Sequence, residues 1–175
     1  MNLNIPLNCK NCGLHKFREK IVIGKGDIPA DILFIGEAPG LSEDTIGEPF
    51  VGPAGKLLDV MVNDAFIRSK LKKIPSYYIT NTVLCRPTDK IGGKNREPIE
   101  QEILQCKENI LEIIEKVNPT IIILIGKVAK KYYGHNITVY YTIQHPAYLL
   151  YGGGVMHPEY NKNVRILTAI FKEVL

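Results

Sequence analysis

No apolar run in this sequence approaches the roughly 20 residues that a helix needs to span a bilayer. Its N-terminus, MNLNIPLNCKNC, also lacks the basic region and apolar stretch of a secretory leader. Both absences predict a soluble, cytoplasmic protein with no membrane partner. The P-loop pattern and GxGxxG are missing as well, which opposes a nucleotide-binding protein of flavodoxin-like class. Cysteine is scarce, with four in 175 residues. In a reducing compartment that argues against two disulfides and leaves metal ligation or buried thiols. No repeat, low-complexity tract or linker interrupts the chain. Its 45% apolar and 23% charged content therefore predicts a single domain over residues 1–175 with a real core. The formal charge of +4 permits a nucleic-acid partner without requiring one.

What is present is organised around residues 32–62, ILFIGEAPGLSEDTIGEPFVGPAGKLLDVMV. A short apolar run ends at Gly36 and predicts a buried strand, while Leu57, Leu58, Met61, Val62, Ala65 and Phe66 recur at helical spacing after Pro53. The long polar loop between them holds Glu37, Glu43, Asp44, Glu48 and Phe50. A loop of this size inside a compact α/β protein points to a site, because ligands bind beyond the carboxyl ends of parallel strands. Residues 77–84, rich in β-branched and aromatic side chains, predict a second strand ending at Cys85-Arg-Pro87. Pro98 opens a long helix whose apolar face is Ile99, Ile103, Ile110, Ile114 and Val117. Thr120 to Ile125 reads as a central strand buried on both faces, Lys127 to Tyr133 as a short helix, Thr138 to Ile143 as a fourth strand and Pro158 to Leu175 as a closing helix. This alternation predicts a three-layer α/β sandwich with a four-stranded, mainly parallel sheet. Glu37, Asn81, Gly126 and His145 all fall near carboxyl ends of strands, so one rim of the sheet gathers them.

The bland alternatives are concrete. An isolated loop glutamate is ordinarily solvated, Asn81 could satisfy backbone at a strand end, and a His-Pro after a strand is ordinarily a turn. His157-Pro158 repeats that dipeptide only a few residues on. The spacing of Cys9-x2-Cys12, Cys85 and Cys106 leaves three readings open: scattered thiols, a structural zinc site or an iron-sulfur cluster. Either metal would tie the weakly structured N-terminus to the middle of the fold.

Three motifs, taken together with the cysteines, resemble one family. GEAPGLSEDTIGEPFVGPAGKLLD at 36–59, YITNTVLCRP at 78–87 and HPAYLL at 145–150 are similar to the family 4 uracil-DNA glycosylases, and the likeness runs from Cys9 to about Leu150. It implies a [4Fe-4S] cluster on Cys9, Cys12, Cys85 and Cys106, and a monomer that acts on uracil-containing DNA to start base-excision repair. It further implies that Asn81 reads the base, that Phe50 stacks on the uracil and that the backbone of Gly36 and Ala38 lines the pocket. His145 is then the donor near uracil O2, and Glu37 orients water or faces the cationic sugar, with Glu43 and Asp44 as alternatives in the same loop. Tyr148 to Tyr151 forms the element that enters the duplex. Two stretches depart from the family pattern: the segment between Gly126 and His145 is shorter, and the loop between Cys85 and Cys106 is longer. They motivate an alternative in which the chain is a weak or inactive member that binds DNA or protein.

Overall fold

The computed structural model describes residues 3–134 and 140–175. Four parallel strands form the expected sheet: β2 (Ile32–Gly36), β3 (Tyr77–Asn81), β4 (Ile121–Ile125) and β5 (Tyr140–Ile143). Positions 138 and 139, where the sequence predicts β5 to begin, lie outside the described residues. The sheet also has a fifth strand that the sequence reading lacks. This β1 (Lys25–Gly26) pairs antiparallel with β3, giving the order β1-β3-β2-β4-β5. Two residues carry no readable periodicity, which is why it escapes notice.

β2 and β4 sit in the middle of the sheet and are buried at every position. Alternation sends Ile32, Phe34, Ile121 and Ile123 to one face and Leu33, Ile35, Ile122 and Leu124 to the other. The first face is covered by α2 (Pro53–Ser69) and α6 (Pro158–Val174), the second by α3 (Glu100–Val117) and by part of α4 (Gly126–Tyr133). The result is three layers. Pro53 occupies the first turn of α2, where its missing N–H costs nothing, and Lys70 and Asn118 end α2 and α3 in the left-handed region.

The polar loop after β2 contains a helix of its own, α1 (Leu41–Ile46), where the sequence reading has only loop. The cause is local. Glu43 Oε2 accepts from Gly40 N–H (3.1 Å), and Oε1 accepts from Val51 and Gly52 N–H (3.0 and 2.8 Å). One carboxylate thereby caps the start of α1 and holds the turn into α2. Gly36 is in register with Asn81 and Ile125 with Ile143, so the strands finish level along one rim.

Candidate active site

That rim surrounds a cavity of about 310 Å³ whose lining includes Ala38, Glu43, Phe50, Asn81, Asn95 and His145. Three of the four principal side chains expected from the sequence therefore share one space. Gly36 is not itself among the lining residues but lies against two of them, Asn81 and Phe50. A methyl group there would stand 2.5 Å from Asn81 Oδ1 and 2.5 Å from Phe50 Cζ, so only glycine lets the amide and the ring approach across β2. Phe50 holds its position with φ of 54°, a left-handed conformation that costs a phenylalanine about 1–3 kcal/mol and that the surrounding loop must enforce.

Asn81, the last residue of β3, is 2% exposed, yet its amide bonds to no other described residue. A buried primary amide with open donors and an open acceptor is costly unless a ligand completes it. Beside it, His145 precedes α5 (Pro146–Tyr151), and its Nδ1 accepts from Ala147 N–H at 3.2 Å. Burial lowers the imidazole pKa to about 4. The ring is thus neutral at physiological pH, with its one proton on Nε2. Its ring centroid lies 6.1 Å from that of Phe50. Gly126, with φ of 84°, passes beneath, where a methyl would reach to 3.1 Å from His145 Cβ.

The second His-Pro explains why the dipeptide is ambiguous in sequence. His157 Nδ1 caps α6 by accepting from Glu159 N–H at 3.1 Å, just as His145 caps α5. Both histidines are caps. What separates them is the other edge of the ring: His145 borders the cavity, whereas His157 packs edge-on against Tyr148 at 5.0 Å.

The loop carboxylates divide clearly. Glu43 lines the cavity, but its oxygens are committed to three backbone N–H groups. Asp44 is buried and accepts from Glu19 and Lys20 N–H (3.0 and 3.3 Å), pinning the N-terminal segment to α1. Glu37 is not among the side chains lining the cavity. It follows Gly36 at the end of β2, its backbone carbonyl accepts from Thr82 Oγ1 at 2.5 Å, and its carboxylate bonds to no described side chain. Burial, with Glu97 nearby, raises its pKa, and Lys127 partly offsets this.

Two polar residues at the site carried no signal in the sequence reading. Asn95 lines the cavity from the loop after Pro87, and Arg86 Nε donates to its Oδ1 at 2.6 Å. Their meeting depends on how that loop folds back, which periodicity does not encode.

None of the four cysteines is disulfide-bonded. Cys85 and Cys106 are buried, and burial raises their pKa values to about 12 and about 11; Cys12 is half-buried and shifted in the same direction for the same reason. Cys12 lies within electrostatic reach of Cys9, Cys85 and Cys106. Arg18 bridges the two halves of the group, donating to Cys85 Sγ at 2.9 Å and to Cys9 O at 2.8 Å. Among the described residues, no three Cys, His, Asp or Glu side chains close on a point as a single metal ion requires.

Comparison with known proteins bears on this arrangement. A family model described as "Uracil DNA glycosylase superfamily" matches residues 23–167. The chain is 40% identical over 166 residues to a protein named type-4 uracil-DNA glycosylase from Saccharolobus solfataricus, covering 82% of this chain and 73% of the relative. A Thermotoga maritima protein of the same name is 35% identical over 157 residues, covering 87% and 77%. For an Archaeoglobus fulgidus protein of that name the figures are 38% over 126 residues, 72% and 58%, so this chain spans little over half of that relative.

Proposed function

The chain belongs to the uracil DNA glycosylase superfamily, and from that premise we propose that it hydrolyses the N-glycosidic bond of deoxyuridine in DNA. The observation that carries this reading is the Asn81 amide, buried and unbonded in one cavity with Phe50 and His145. A base inside a duplex is out of reach, so the nucleotide is first extruded into the cavity. There Asn81 donates to uracil O4 and accepts from N3–H, a pattern that cytosine reverses. Phe50 stacks on the ring. Cleavage breaks the bond between C1′ and N1, and its electron pair stays with the base. His145 Nε2–H donates to O2 as negative charge develops there, which suits an imidazole that is already neutral. A water oxygen bonds to C1′ and its proton passes to solvent, while Glu37, which adjoins the cavity-lining Ala38 in sequence, orients that water or faces the cationic sugar. The backbone of Gly36 and Ala38 lines the base pocket.

The same reading assigns Cys9, Cys12, Cys85 and Cys106 to a [4Fe-4S] cluster. What supports this is that burial and electrostatic contact gather Cys9, Cys12, Cys85 and Cys106, the four sulfur ligands that such a cluster takes. When bound, the cluster supplies a structural tie rather than a step of the reaction. Residues 1–175 are taken as one domain acting as a cytoplasmic monomer; no described helix is long and apolar enough to cross a membrane.

The test is release of free uracil from a uracil-containing oligonucleotide. Asn81→Ala and His145→Ala should each lower the single-turnover rate by about 100-fold or more, and Asn81→Asp should shift preference toward cytosine. Tight binding with intact substrate at enzyme excess would instead make the chain a DNA-binding module. Iron and acid-labile sulfide near four per chain support the cluster, whereas stoichiometric zinc overturns it.

A further inference from the structure

Among the described residues, Tyr133 Oη is the one side-chain polar atom that is both shut off from solvent and without a hydrogen-bond partner. Tyr133 closes α4 and is 2% exposed. The Asn81 amide differs, because it lines an open cavity. A hydroxyl left dry and unbonded is destabilising, whereas phenylalanine would fill the same space with no polar atom to satisfy. A tyrosine at this position therefore calls for an acceptor that the described polypeptide does not supply by itself.

The surroundings narrow what that acceptor is. Tyr133 belongs to the same apolar cluster as Cys85 and Cys106, packed with Ile103 and Ile110. Its phenol lies within electrostatic reach of Cys106. Both buried sulfurs already draw side-chain donors: Arg18 donates to Cys85 Sγ at 2.9 Å, and Asn109 Nδ2 to Cys106 Sγ at 3.9 Å. A neutral thiol is a weak acceptor and gains little from such donors, while a thiolate that ligates iron accepts strongly. Donors gathered on these sulfurs are the environment of ligating thiolates, and Tyr133 is the donor in that cluster still without an acceptor.

On the cluster assignment given above, on which this inference rests, we propose that the Tyr133 hydroxyl donates to the Cys106 thiolate of the bound cluster, securing that ligand and raising the reduction potential of the cluster. Donation sets partial positive charge beside a sulfur, which favours the state carrying the extra electron and strengthens the hold on the ligand. The phenol keeps its proton throughout. A consequence follows along the chain, because α4 begins at Gly126, the glycine beneath His145, and ends at Tyr133. One eight-residue helix thus joins the catalytic rim to the cysteine group.

The test uses the cluster-loaded protein, with iron and acid-labile sulfide measured for every preparation. Tyr133→Phe keeps the ring and deletes only the hydroxyl. Relative to the wild type, its reduction midpoint should fall and its iron should pass to a chelator about tenfold faster. The shift of the iron–sulfur stretching frequencies on transfer from light to heavy water should also shrink, because one exchangeable donor is gone. Site-specific Tyr133→3-fluorotyrosine, whose more acidic hydroxyl is a stronger donor of nearly the same size, should move the midpoint upward, and it carries the test alone should Tyr133→Phe fail to load. An unchanged midpoint and unchanged chelator sensitivity overturn the inference. So does a Tyr133→Phe protein that melts higher and keeps its cluster equally well, since the hydroxyl would then be an uncompensated cost. Either result at four irons per chain leaves the cluster assignment standing, whereas stoichiometric zinc in the wild type overturns both.

Discussion

The Ala147 N–H fixes the tautomer of His145, and burial fixes its charge. The folded-state pKa of about 4 lies below the ordinary value of 6.5. Above pH 6.5 the imidazole is neutral in both folded and unfolded chains and contributes no slope. As pH falls from 6.5 toward 4, the unfolded chain takes up a proton that the folded one refuses, so stability declines; below 4 both are protonated and the slope ends. A shift of this size corresponds to at most about 3 kcal/mol. Urea unfolding at intervals from pH 7 to pH 4 should show this decline in the wild type, and His145→Gln should remove that part of it. An unchanged pH dependence in the variant would mean that His145 is exposed and charges freely. Catalysis carries the same signature, since a neutral donor is already present at pH 5 and a rate loss between pH 8 and pH 5 must come from another group.

At the scale of elements, the stretch before β2 is the least self-sufficient. Its regular structure among the described residues is a short 3-10 turn (Gly13–Lys16) and β1, and its attachments include Arg18 at Cys85, Asp44 at Glu19 and Lys20, Thr80 Oγ1 on Ile23 O, and Val22 N–H on Leu84 O at 2.7 Å. A cross-link from Cys12 to Cys85 closes a loop of some 70 residues, which by the relation for disulfides removes about 4 kcal/mol of unfolded-chain entropy. On the proposed cluster reading, treatment with a chelator under reducing conditions should therefore raise hydrogen exchange across residues 5–26 first, while β2 and β4 stay protected. Uniform loss of protection would show instead that the thiols hold the whole fold. The elements differ in the same way in how legible they were. β2, β4 and α2 follow from apolar spacing because packing on a sheet dictates that spacing; Asn81 and His145 stand out because they sit at or beside strand ends, and Phe50 stands out through the family resemblance. β1, α1, Asn95 and Arg86 depend on hydrogen bonds between loops distant in sequence, such as Glu43 reaching Val51 and Arg86 reaching Asn95, and leave no period behind.

Across the whole molecule, the net charge of +4 is too small to explain DNA binding by itself, and several lysines at the rim are already engaged, as Lys127 is with Glu97 at 3.3 Å and Lys162 with Glu159 at 3.2 Å. The more telling surface feature is apolar. Directly after His145, α5 and the 3-10 turn Gly154–Met156 expose Tyr148, Leu150, Tyr151 and Met156, with Tyr151 94% and Met156 84% open to solvent. The family resemblance implies a wedge at Tyr148 to Tyr151, and in the structure Met156 follows it after a turn at Gly153 and Gly154, both in the left-handed region. Side chains this exposed lower the stability of the free protein's hydration but can fill the gap left when a base is extruded, where unstacking costs a few kcal/mol per step. Single-stranded substrate has no stack to break. Replacing Tyr151 and Met156 together with serine should therefore slow uracil release from duplex DNA by about tenfold or more while changing the single-stranded rate by less than about twofold, with thermal stability unaltered because neither side chain is in the core. Equal slowing on both substrates would move these residues from base extrusion to general strand binding, which would also show as weaker affinity for single-stranded substrate at an unchanged salt dependence, since neither side chain is charged.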